Sequence, residues 1–234
     1  MPFAFFERLV DPFPPARPSR APASVYRFCR HHSRGLEGWL LALAALSTVI
    51  AIVEVALFSV LGQGVDLLSS STPQDIADDG GVDLLILGLG LLAVYPLFVA
   101  LQSLLLHQTL MGNFPMIVRW MAHRYLLRQS LGFFQDEFAG RVATRVMQTA
   151  LAVRSVVLIL LDILVYVGVY FASVLVLLAS TDLRLALPLV VWLLLYSGIL
   201  RVVLPRLQRV SERQADARAL MTGRVADSYT NIAT

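Results

Sequence analysis

Four stretches of the chain are almost continuously apolar, and each is long enough to cross a bilayer. They cover residues 39–62 (WLLALAALSTVIAIVEVALFSVLG), 84–107, 155–179 and 185–204. A hydrocarbon core of about 30 Å calls for about 20 residues of helix, which each stretch supplies. The second and third do not stop where a bilayer would end. Helical patterning runs from residue 84 to 130, about 70 Å at 1.5 Å per residue, and from 140 to 180, about 60 Å. Both helices must therefore project well past the membrane on the side where residues 131–141 join them. The predicted fold is all-α: a polytopic membrane protein of four transmembrane helices with long extensions on one side. Pro96 predicts a kink in the second span and Pro115 a bend in its extension. A polar loop is expected over residues 65–83 and a tight connection over 180–184, and residues 206–234 return to a polar helical pattern.

Ahead of the first span the pattern changes. Residues 1–24 carry Pro2, Pro12, Pro14, Pro15, Pro18 and Pro22 with Arg8, Arg17 and Arg20. Proline at that density argues against helix and predicts an extended, largely disordered arm. Residues 25–38 mix Val25, Tyr26, Phe28 and Leu36 with Arg27, Arg30, His31, His32 and Arg34. They read as a short amphipathic helix on the membrane surface or as a plain linker.

Composition agrees with a membrane protein. Hydrophobic residues make up 57% of the chain and charged residues 15%, against about 45–50% and about 25% in soluble domains. All 19 basic residues are arginine. A phosphate-binding P-loop needs a lysine to reach the β- and γ-phosphates, so these 234 residues contain none. The arginines sit beside the apolar spans, which points to topology and away from nucleic acid. Residues 1–38 hold six, 63–83 none, 108–154 six, 180–184 one and 201–234 six. That alternation predicts both termini and the 108–154 excursion in the cytoplasm. Topology and anionic lipid account for Arg201, Arg206, Arg209 and Arg213 without a ligand. The single cysteine, Cys29, lies near His31 and His32, but further ligands for a metal are missing. No catalytic, cofactor-binding or metal-binding residue is expected here.

Beyond these patterns, the run RYLLRQSLGFF at 124–134 followed by GRVATRV at 140–146 resembles the first cytoplasmic loop of ABC exporter transmembrane domains. LGQGVD at 61–66 looks like the end of that family's first helix, and DSYTNIAT at 227–234 like the approach to its second cytoplasmic loop. The resemblance covers residues 25–234. It implies six transmembrane helices followed by a nucleotide-binding domain, working as a homodimer or heterodimer in a bacterial inner or plasma membrane. It also implies a coupling helix at about 133–140 that docks on the nucleotide-binding domain. ATP and Mg would belong to that domain and not to these residues. By the same resemblance, helices five and six, the second coupling helix and the ATPase module are missing, so the sequence reads as an N-terminal fragment.

Phe133, Phe134 and Phe138 form an aromatic cluster at the tip, and Gln135, Asp136 and Glu137 accompany them. A docking surface is favoured over a helix corner closed on itself, because exposed apolar groups at the end of a long projection need a partner. Gln135, Asp136 and Glu137 fit either the rim of that surface or the N-terminal charge set of a helix. Glu54 and Asp162 lie inside apolar spans, where carboxylates are costly and mark a pathway by default. With Gln102 they are the candidate translocation-cavity groups, against local pairing with Ser47, Gln102 or Tyr166. The leading expectation is the permease portion of an ATP-driven exporter for an unidentified substrate; the apolar spans fit a lipophilic cargo, and the same composition suits any lipid-facing helix. The alternatives are a membrane scaffold for a cytosolic partner and a small four-helix channel or carrier.

Overall fold

The structure is a computed structural model that describes residues 3–15, 21–70, 81–136 and 139–230. All regular structure in those residues is helical. The chain divides into two units, Met1–Val174 and Leu175–Thr234.

The first unit begins with α1 (Phe3–Glu7) and α2 (Val25–His32), and α3 (Glu37–Ser70) is its first long helix. The second long helix is made of α4 (Gly81–Ser103), a π-helical segment (Leu104–Leu110) and α5 (Met111–Leu126). A short α6 (Leu131–Asp136) leads to α7 (Ala139–Thr181), whose residues up to Val174 lie in this unit. Among the described residues, four helices are long and apolar enough to cross a membrane: Glu37–Ser69, Gly81–Leu126, Val142–Thr181 and Leu183–Val225. The second runs for 46 residues, about 69 Å, more than twice the thickness of a hydrocarbon core. Leu85, Ile86, Leu89 and Leu92 stand exposed on α4, which suits lipid tails.

The core lies off-centre. It gathers Leu36, Leu40 and Leu43 with Leu105, Leu110, Phe114, Ile117 and Val118, and with Ala150, Val153 and Leu158 of α7. These positions belong to the arginine-rich ends of the helices, where the chain leaves the apolar spans. Between α2 and α3 the chain reverses through Gly35, whose φ is +87°. The Ser33 amide donates to the Cys29 carbonyl at 3.0 Å and the Leu36 amide to the Ser33 carbonyl at 3.0 Å. Leu36 is thereby delivered into the core.

Four expectations need correction or adjustment. The arm was expected to be disordered and without helix, yet residues 3–15 form α1 and an extended strap packed on the second long helix. The prolines at 12, 14 and 15 follow α1 instead of interrupting it, and Val10 enters the core. The surface helix is shorter than 25–38, because Gly35 ends it after His32. The polar loop is shorter too, since α3 continues to Ser70 and α4 starts at Gly81. Pro96 and Pro115 both lie inside α-helix, and between them Leu104–Leu110 is π-helical, a departure from α geometry that the sequence pattern did not predict.

The second unit holds the end of α7 and α8 (Leu183–Thr230). Asp182 joins them. Its amide donates to the Leu178 carbonyl at 2.9 Å, and its carboxylate accepts from the Arg184 amide at 2.8 Å. One residue therefore ends one helix and caps the next. On α8, Trp192 and Tyr196 stack one turn apart with ring centroids 5.3 Å from each other.

Candidate functional site

The candidate residues read from the sequence fall in two places, one inside the apolar spans and one at the tip. Within the spans, α3, α4 and α7 each place a polar residue at a common point. The Gln102 amide nitrogen lies 2.8 Å from Asp162 Oδ1 and 2.9 Å from Ser47 Oγ. Ser47 Oγ lies 2.7 Å from the same carboxylate oxygen and 3.0 Å from the Leu43 carbonyl. The amide has two protons and supplies both contacts, while the single hydroxyl proton is shared between the carboxylate and the helix carbonyl. Ser47 is completely buried. Asp162 also borders a cavity of about 160 Å³ together with Arg154, Leu106 and Met111.

Glu54 lies two turns along α3 from Ser47. It accepts a hydrogen bond from the Tyr166 hydroxyl of α7. Tyr95 of α4 is close enough to interact electrostatically with it. Tyr166 stacks on Tyr170 with centroids 5.9 Å apart. Two levels result, each with one residue from α3, α4 and α7: Ser47, Gln102 and Asp162, then Glu54, Tyr95 and Tyr166. Of the three candidate cavity groups, the structure joins Gln102 to Asp162 and gives Glu54 a separate partner. The pairings are with the local groups weighed as alternatives from sequence.

At the tip, α5 ends in turns closed by Leu127 to His123, Arg128 to Tyr125 and Gln129 to Leu126 backbone bonds of 2.9–3.1 Å. Ser130 then accepts from the Phe133 amide on its carbonyl at 3.2 Å and on its hydroxyl at 3.3 Å, which starts α6. Phe133 and Phe134 meet edge to face with centroids 5.3 Å apart. Phe134 is 41% exposed and borders a cavity of about 340 Å³ between α5 and α7. Gln135 and Asp136 belong to α6 by backbone, and Glu137 and Phe138 lie outside the described residues. The helix thus begins two residues earlier than the expected 133–140.

Sequence reasoning missed a third site, formed by the arm. Thr109 Oγ1 donates to the Phe6 carbonyl at 3.0 Å and Asn113 Nδ2 to the Glu7 carbonyl at 2.9 Å. Trp120 Nε1 and an Arg124 nitrogen both donate to the Pro14 carbonyl, at 3.1 and 3.3 Å. Phe13 packs edge-on against Trp120. Nearby, α2 contributes Phe28, His31 and His32 to a cavity of about 360 Å³ completed by Tyr125, Arg145 and apolar residues of α5 and α7. His32 Nδ1 lies 2.9 Å from the Phe28 carbonyl, which fixes it as the protonated nitrogen of the neutral ring. Burial lowers the pKa of both imidazoles; Arg34 adds to this at His31, while at His32 the bond to the Phe28 carbonyl opposes it and the neighbouring His31 adds to it. Burial raises that of the Cys29 thiol. The spacing of Trp120 and Arg124 was a legible signal of a shared helix face, but their acceptor was not.

Residues 40–234 match the family described as the ABC transporter transmembrane region. The chain belongs to that family. It is also 44% identical over 232 residues to a protein from Haemophilus influenzae described as an uncharacterized ABC transporter ATP-binding protein. That alignment covers 99% of this chain and 38% of the relative. No solved structure matches the chain. Within an ABC transporter transmembrane region, the long apolar helices make this an integral membrane protein.

Proposed function

We propose that the chain is the permease portion of an ATP-driven exporter, and that α6 is the element through which a nucleotide-binding domain moves it. The observation that carries this reading is the pair of long helices, Gly81–Leu126 and Val142–Thr181, joined at their far ends by α6 with Phe134 exposed. A bundle that acted only within the bilayer would have no use for helices of 46 and 40 residues. Family membership supports a transport role, and the alternation of arginines supports cytoplasmic termini and a cytoplasmic tip. In this reading ATP and Mg are held by the nucleotide-binding domain. The chain has no lysine with which to form a P-loop. Two copies, or this chain and a related one, enclose the pathway, and a lipophilic substrate suits its apolar walls.

The test uses the full-length protein in lipid vesicles. A cysteine at Leu131, which is 75% exposed on α6, should crosslink to the nucleotide-binding domain. Phe134→Ala should leave ATP hydrolysis running while transport per ATP falls at least fivefold. Absence of the crosslink together with unchanged coupling would refute the docking role of α6.

A further inference from the structure

We propose that the N-terminal arm is a rotational latch: docked, it holds α5 in the register set by the π-helical segment Leu104–Leu110, and released, it lets that segment relax to α-helix and turn α5. The π winding is recorded at its exit, where the Met111 amide donates to the Leu106 carbonyl, five residues back. A π segment of this length accommodates one residue more than an α-helix would over the same path. Losing it turns the downstream helix by about 100° and shifts it by about 1.5 Å, one residue's worth of α-helix.

The arm reads that rotation. Asn113, Trp120 and Arg124 donate to arm carbonyls, and spacings of seven and four residues put them within about 40° on one helix face. Thr109 does the same from inside the π segment, where it is fully buried. A turn of about 100° would carry the three α5 donors off the arm together. Pro12, Pro14 and Pro15 have no amide proton, so this part of the arm is well suited to present acceptors to donors on another helix. Val10 in the core and Phe13 on Trp120 add apolar contact. Arm docking and π register therefore describe one state, and their coupling must be reciprocal. The latch does not depend on what α6 binds; its effect on transport does, because α6 follows α5 directly.

The decisive measurement is maleimide labelling of a single cysteine at Met116 in the full-length protein, in a Cys29→Ser background. Met116 is 36% exposed, and its neighbours Pro115 and Ile117 are both buried. Rotation by one residue in either direction therefore protects it. Removing residues 1–15 should lower its labelling rate at least fivefold, whereas simple uncovering or loosening would raise it. A raised or unchanged rate would overturn the latch. The control deletes Gln108, which takes the extra residue out of the π segment and lets it follow an α path with α5 left in place. Removing residues 1–15 should then no longer lower labelling of the Met116→Cys site, and a drop as large as in the parent would overturn the proposal. Should that deletion fail to fold, Asn113→Leu with Trp120→Phe cuts the arm's anchors without changing chain length. It should protect a Met116→Cys label in the same way, and an unaltered rate there would be equally decisive.

Discussion

The side chains of Gln102 on α4 and Asp162 on α7 meet at 2.8 Å, and Ser47 of α3 touches both. A carboxylate inside a span is tolerated only where protein groups replace the water it has lost. Here an amide and a hydroxyl do so, and neither carries a charge. The contact therefore ties three helices together at one height and keeps a carboxylate in place beside a small cavity.

Removing the amide should cost more than removing the charge. Gln102→Leu leaves Asp162 with Ser47 alone, and a hydrogen bond to a charged group is worth about 1.5–3 kcal/mol. Asp162→Asn keeps both neighbours within bonding distance and should cost under about 1 kcal/mol. Thermal unfolding of the full-length protein in one detergent measures both. Equal losses would show that the amide is not there to hold a carboxylate.

Glu54 and Tyr166 should behave as a coupled pair. In a double-mutant cycle of Glu54→Gln and Tyr166→Phe, the coupling should reach about 1–2 kcal/mol, because each is the other's hydrogen-bond partner across two helices. If Glu54 also faces the pathway, Glu54→Gln should change the efflux of a cationic substrate at least threefold while Tyr166→Phe changes it less. An unaltered efflux profile with strong coupling would assign Glu54 to holding the helices together.

What could be read from the chain depended on whether the information was local. The spans were legible because their apolar residues are contiguous, and the length of the two projections followed from counting residues to the polar tip. Residues 133 and 134 stood out because a recognisable run surrounds them. The partnership of Ser47 with Asp162 joins positions 115 apart in sequence, and no periodicity encodes it. The arm was misread for a different reason: its bonds to Thr109, Asn113 and Trp120 are accepted by backbone carbonyls, which every residue has. The π segment was equally hidden, since LLLHQTL is an ordinary helical sequence and the extra residue is set by what packs against it.

Docking of α2 should weaken in acid. His31 and His32 are buried, their rings 5.1 Å apart, and burial lowers both pKa values below the ordinary 6.5. In the unfolded chain these groups take up protons first as pH falls, so the folded state loses stability from about pH 6.5 downward, until the folded imidazoles are protonated as well. Above that range the contribution is complete. Arg34 adds a positive charge beside His31, and Arg145 and Tyr125 are the other titratable groups that line the cavity. Hydrogen exchange of the Phe28 to Ser33 amides should accelerate between pH 7 and pH 5 beyond the intrinsic change, and less so in His32→Gln. Equal protection at both pH values would contradict this linkage.

Gly35 sets how the chain enters the first span, and its requirement can be isolated from packing. Its φ of +87° is left-handed, and a Cβ built there meets nothing within 4 Å. Any penalty for a side chain is therefore a backbone penalty. Gly35→Ala should cost about 1–2 kcal/mol. Gly35→Asn should cost less, because asparagine tolerates that region better, and Gly35→Val should cost more, because branching at Cβ makes left-handed backbone least favourable. Thermal unfolding should order the variants Asn, Ala, Val in increasing loss. Each loss should be accompanied by faster exchange at Leu36, whose amide bonds to Ser33 across the turn at 3.0 Å. An ordering by side-chain volume alone, with asparagine worse than alanine, would mean that the turn is crowded by something other than its own backbone.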